Sequence, residues 1–131
     1  MKKTFSALTS ILLALMLVLF CCACQKENVL HTGFNVELLE VDAENQTIRV
    51  RDLREENKTF GQDCTLDCSD VTEYGNILYI HYDTGKERRL ELSDLQPGDK
   101  LFLSIWEPEL AKVESGKARL YEIQLGTQRL S

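Results

Sequence analysis

The sequence predicts an all-β domain over most of its length, and three observations carry that prediction. Short apolar runs alternate with polar residues, turn signals recur every 8 to 12 residues, and no convincing long helix follows residue 24. About six short strands joined in this way make a sandwich or a barrel, because a sheet that is apolar on one face must cover that face with another sheet or with itself.

The elements follow in order. Residues 34–41 and 47–53 read as a hairpin around the polar turn Asp42-Ala43-Glu44-Asn45-Gln46. In the first strand Val36 and Leu38 share one face while Leu39 and Val41 share the other. Such a phase change signals a bulge or strong bend, as in a strand that serves two sides of a closing barrel. Arg49 and Arg51 then alternate with Ile48 and Val50. Residues 54–58 form a charged connection, and residues 59–69 read as a strand with Cys64, Leu66 and Cys68 on one buried face. A second hairpin spans 76–82 and 87–92 around Asp83-Thr84-Gly85-Lys86. Gln96-Pro97-Gly98-Asp99 places Pro before Gly as a type II turn prefers, and residues 100–105 point Leu101, Leu103 and Ile105 inward. Residues 107–117 are irregular, bounded by Pro108 and Gly116, before a closing strand at 119–125 with Tyr121, Ile123 and Leu125 on one face.

The opening segment is of another kind. Lys2 and Lys3 precede an uncharged apolar stretch at residues 5–20, the order of a secretory signal. A permanent membrane helix is the alternative, since residues 5–23 are just long enough to span. Cys21-Cys22-Ala23-Cys24-Gln25 closes the stretch, and Ala23 before Cys24 resembles the lipobox of bacterial lipoproteins, although Cys21 stands where that family usually has Leu. The resemblance implies a diacylglyceryl group on the Cys24 thiol and cleavage before it, so that residues 1–23 are a signal peptide, 24–33 a lipidated polar tether and 34–131 the domain. Two or three acyl chains anchor stably where one does not. The expected address is the extracytoplasmic side of the cell membrane.

Cleavage before Cys24 leaves 108 residues, enough for a single small core. Since Lys2 and Lys3 leave with the signal, the mature balance is 13 basic against 21 acidic residues, a net charge of −8. Nucleic acid needs a basic footprint and is disfavoured as a partner. An anionic membrane surface is repelled as well, so the acyl chains must do the anchoring. Of five cysteines, Cys64 and Cys68 remain free to react. They are a disulfide candidate outside the cytoplasm, yet residues four apart in a strand lie roughly 13 Å apart, and a bridge needs about 4.4 to 6.8 Å. Buried thiols are the favoured reading, a disulfide the alternative.

From the lipobox through the curved first hairpin to Leu92-Ser93-Asp94-Leu95-Gln96-Pro97-Gly98-Asp99-Lys100-Leu101, the chain resembles small OB-like barrel lipoproteins of Gram-positive bacteria. The resemblance implies a five- to six-stranded OB-like barrel, with the segment around residues 95–101 leading into the fourth barrel strand and residues 107–117 linking it to the fifth. It implies no chemistry.

The chemical constellations are sparse. His31 falls in the expected tether and His81 among Tyr79, Ile80 and Tyr82, so neither reads as a ligand or base. Asp63, Asp67, Asp70 and Glu73 form an acidic run that matches no calcium-loop spacing and lacks its glycine; a solvated face is the plainer reading. No serine sits in a Gly-x-Ser-x-Gly elbow and no glycine-rich loop offers a phosphate cradle. Trp106 is the exception. It ends a strand where OB-like folds place ligand-contacting loops, so it is a candidate to stack on a sugar or peptide with Tyr79 or Tyr121; otherwise it caps the core. The leading expectation is a membrane-anchored, non-catalytic binding module for an envelope protein, peptide or glycan, with no cofactor and no metal. The alternatives are an envelope enzyme or inhibitor using Asp63, Asp67, Asp70 and Glu73, and a thiol or metal module using Cys64 and Cys68.

Overall fold

A long first strand organises the molecule. The computed structural model describes residues 30–54, 56 and 58–130. Seven strands, β1 (His31–Asp42), β2 (Thr47–Asp52), β3 (Cys64–Asp67), β4 (Ile77–Ile80), β5 (Glu87–Arg89), β6 (Lys100–Trp106) and β7 (Glu122–Leu125), form one sheet in the order β3-β2-β1-β6-β7-β4-β5. Among the described residues, two short helices, α1 (Ser69–Tyr74) and α2 (Glu107–Leu110), and a 3-10 turn at Leu92–Asp94 accompany it. The fold is mostly β.

The two ends of β1 serve different neighbours. Residues 31–37 pair with β6 and residues 36–42 with β2, both antiparallel. The register of the β1/β2 ladder shifts between Leu38 and Glu40, leaving Leu39 as the extra residue that the sequence phase change requires. Asp42 closes the hairpin by accepting hydrogen bonds from Asn45 N at 3.0 Å and Nδ2 at 2.8 Å, which holds its carboxyl below the usual range. The later turn is also as read: Asp99 N donates to Gln96 O at 3.0 Å, and Gly98 takes φ 92°, a value only glycine adopts freely.

Inward residues of six strands, β1 to β4, β6 and β7, supply the core. Val36, Leu38, Val50, Leu66, Leu103, Ile105 and Ile123 are wholly or almost wholly buried, joined by Leu90, Leu92 and Leu95 from the connection before β6. The chain end is pinned beneath: Arg129 brackets buried Asp99 at 2.9 and 2.8 Å, and Tyr79 Oη donates to Leu130 O at 2.7 Å.

Four expectations need correction. The first strand begins at His31, so residues 31–33 belong to the sheet although the sequence suggests a tether through 33. The cysteine strand is confined to Cys64–Asp67 because the Asp67 carboxylate accepts Ser69 N–H at 2.8 Å, turning the chain into α1. Residues 107–117 open with a helical turn, since Pro108 suits the first turn, where its missing N–H costs nothing. Among the described residues seven strands stand where five or six were expected; they form one mixed sheet that supports the all-β class, and its ladders do not run round to a closed ring. β4 pairs in parallel with β7 on the edge of β7 that faces away from β6. β3 reaches only Arg119, ahead of β7, through one parallel bridge.

Candidate functional site

Side chains of β6 alternate in direction, and its outward face carries the aromatic residues, although Ser104 on that face is itself buried. Leu101, Leu103 and Ile105 point into the core, so Phe102, Ser104 and Trp106 point away from it. The antiparallel register sets His31 opposite Trp106, Gly33 opposite Ser104 and Asn35 opposite Phe102, and cross-strand partners share a face. Phe102 leans diagonally over Gly33; a Cβ there would lie 2.2 Å from the Phe102 Cζ atom. Glycine at residue 33 therefore makes room for the ring, which remains 39% exposed.

At the end of this strip three rings meet. Trp106 and Tyr121 have ring centroids 4.6 Å apart, His31 stacks on Tyr121 at 5.4 Å, and His31 meets Trp106 edge-on at 5.5 Å. Tyr121 is set by its N–H donating to Ser104 O at 2.9 Å, and its carbonyl accepts from Asn76 Nδ2 at 3.2 Å. Three separate segments thus build one platform. His31 is exposed, while Trp106 and Tyr121 are partly exposed. Trp106 lies outside the buried core and is not among the apolar side chains packed against it. Tyr79 takes no part, being 2% exposed and committed to Leu130.

A neighbouring ion-pair cluster braces the loop that carries Tyr121. Glu109 is buried, with Arg119 Nε at 2.8 Å and Lys112 Nζ at 2.7 Å. Burial pushes its carboxyl up, but the bonds from Lys112 and Arg119 outweigh this and hold it below the usual range. Arg119 is held correspondingly high, first by its bond to Glu109.

The acidic run does not converge. Asp63 pairs with Arg49 at 2.7 Å, and that bond holds its carboxyl low; Asp67 accepts the Ser69 N–H at 2.8 Å; Asp70 lies 3.9 Å from Arg119; Glu73 is exposed on α1. Among the described residues no three His, Cys, Asp or Glu side chains come together as metal ligands. Cys64 and Cys68 are both buried and free. Burial, with nearby Asp67, pushes the Cys68 thiol up to about 12, and burial, with Asp63 and Asp52, raises Cys64. Such thiols are poor nucleophiles, and a bridge between them would require β3 to break. His81 meets Tyr79 edge-on at 6.2 Å, and its Nδ1 has no hydrogen-bond partner among the described residues.

Two surface hollows lie elsewhere. A polar one of about 420 Å³ opens between Lys58–Thr65 and Val113–Gly116 with Cys64 in its wall, and a more apolar one of about 390 Å³ lies between α1 and Leu90–Ser93. The aromatic platform lines neither of them. Cys24, the expected lipidation site, lies outside the described residues, and no helix among those described is long and apolar enough to cross a membrane. Compared with protein families, curated proteins and solved structures, the chain matches none.

His31 is the platform residue that sequence reading misses. Its signal is present but faint: His31, Gly33 and Asn35 continue the outward phase of β1, while the polar stretch before them reads as linker.

Proposed function

We propose that the chain is an extracytoplasmic lipoprotein, anchored through Cys24, whose domain is a non-catalytic interaction module using the His31/Trp106/Tyr121 platform as its contact surface. The observation that carries this reading is the platform itself: three amphipathic rings from β1, β6 and the approach to β7, gathered on an outward sheet face. Aromatic groups on that face give up apolar area to water, so a partner that covers them gains it back. The separation of Asp63, Asp67, Asp70 and Glu73, and the raised, buried thiols of Cys64 and Cys68, favour binding over acid-base or thiol chemistry.

The fold reading that accompanies this is an OB-like barrel of β1, β2, β3, β6 and β7 with the β4/β5 hairpin added to its margin. Its support is the pair of bonds Asp67 N to Ala118 O at 2.8 Å and Leu120 N to Asp67 O at 3.0 Å, which join one end of that five-strand run to the segment entering the other.

Two measurements test the reading. Cys24→Ser releases the protein from the membrane fraction; unchanged attachment means that the apolar segment at residues 5–23 is the anchor. A photoreactive side chain at residue 106 crosslinks in the native envelope, whereas one at residue 51, on the charged part of the exterior, does not. Equal crosslinking at both positions removes the platform as the contact surface.

A further inference from the structure

We infer that the partner of the aromatic platform is the lipid bilayer itself, at its headgroup boundary, and that this contact seats the domain in one orientation on the membrane that holds the Cys24 acyl chains. The inference rests on the lipid-anchored reading above and adds the partner.

Chain length comes first. From Cys24 to His31 there are seven residue steps, which span at most about 25 Å even when fully extended. His31 is a platform residue as well as the first residue of the sheet, so the platform begins at the point where the tether enters the domain. A module held this close meets the membrane at an effective concentration of the order of millimolar. A contact too weak to recruit a free protein then suffices to orient a tethered one.

The chemistry of the face fits the same partner. Trp and Tyr concentrate at membrane interfaces because an apolar ring body and a polar edge suit the boundary between acyl chains and headgroups. Phe102 extends the strip along the same face, 39% exposed above Gly33. Small ligands are held in concave sites, whereas the rings of the platform stand on an outward sheet face, His31 and Phe102 exposed. A broad, deformable partner matches an outward sheet face better. Net charge opposes attraction to an anionic surface, since the mature chain carries −8, and Arg49 and Arg51 are engaged by Glu40, Asp63 and Glu37. The unlipidated protein is therefore expected not to bind vesicles, and the rings act only once the acyl chains have brought them there.

The chain has one tryptophan, so its emission reports on residue 106 alone. Full-length protein from a lipidating bacterial host, checked by intact mass, is reconstituted into phosphatidylethanolamine/phosphatidylglycerol vesicles containing lipids brominated near the glycerol end of the acyl chain. Expected is a blue shift and at least about a twofold loss of emission, because interfacial tryptophans lie at the depth of shallow bromines. In the Trp106→Phe background, Arg51→Trp places the probe on the charged part of the exterior, where emission stays unquenched. Lipidated, vesicle-bound protein whose Trp106 is no more quenched than that control overturns the bilayer as partner and leaves the anchor standing. Crosslinking of a photoreactive side chain at residue 106 to an envelope protein or glycan rather than to lipid also overturns it. Absence of lipid on Cys24 overturns both readings together.

Discussion

The exterior of β1 has two unlike parts. Beside β2 it is a set of ion pairs: Arg51 to Glu37 at 2.5 Å, and Arg49 between Glu40 at 2.5 Å and Asp63 at 2.7 Å. Beside β6 it is aromatic: His31 opposite Trp106, and Phe102 over Gly33. Both lie on outward faces and both flank the same strand, so burial in the core explains neither. Exposed ion pairs contribute about 0 to 1 kcal/mol each and keep a surface wet. Exposed rings do the opposite. On the proposed reading, the contrast separates a water-facing part from a part that the bilayer covers, within a few residues of one strand.

The contrast breaks if β6 is merely structural on both faces, and core truncation sets the scale for that test. Leu103→Ala removes a fully buried side chain and is expected to cost about 2 to 5 kcal/mol by urea unfolding. Trp106→Ala, three residues on and outward, is expected to cost less than half as much while abolishing the vesicle-dependent contact. Similar losses for the two variants would make Trp106 a packing residue and erase the distinction.

Next in size is the glycine beneath Phe102. Gly33→Ala places a methyl where the ring now lies and is expected to destabilise by about 1 to 2 kcal/mol through displacement of that ring. In a Phe102→Ala background the same substitution should cost almost nothing, because the clash has no second partner. A double-mutant cycle with no coupling would mean that the ring is free to move away and that the strip is looser than its geometry.

Much of this could be read from residue order, and the gaps have physical causes. The bend of β1 was legible because Val36, Leu38, Leu39 and Val41 cannot all face one side without an extra residue. The Pro97-Gly98 turn was legible because φ 92° demands glycine. The parallel pairing of β4 with β7 was not, since their partners are more than forty residues apart and each strand is only four residues long. Trp106 stood out by type, but its partners are set by register: His31 enters only because Trp106 is its cross-strand neighbour, and Tyr121 enters through its bond to Ser104. The spread of Asp63, Asp67, Asp70 and Glu73 was hidden too, because a strand end followed at once by a helix turns successive carboxylates in different directions.

A pH measurement sharpens the covered part from below. The folded protein holds the Glu109 carboxyl under its ordinary value, so the stability it contributes is fully present above about pH 4.3, the unfolded carboxylate range, and is lost as pH falls through the lower folded value. Glu109→Gln is expected to lower the melting temperature at pH 7 and to converge with the parent chain at acid pH, where both lack the charge. Because Glu109 braces Arg119, two residues before Tyr121, Trp106 emission should change over the same pH interval in the parent chain and not in the variant. A pH-independent gap between the two melting curves would assign the loss to shape rather than charge.

The smallest expected effect tests the water-facing part. Arg51→Ala removes a guanidinium that donates to Glu37 from both Nε and Nη2, in a side chain that remains 44% exposed. Solvent already screens that pair, so the loss should be about 0 to 1 kcal/mol at low salt and close to nothing in molar salt, where the screening length falls to about 3 Å. Vesicle-dependent quenching of Trp106 should be unchanged, since no part of the proposed contact passes through Arg51. A loss above about 2 kcal/mol would exceed what an exposed pair supplies and would make the charged part of β1 a structural element in its own right. A gain in quenching would be the more instructive failure, because it would show that charge on one side of the strand restrains how closely the rings on the other side approach the membrane.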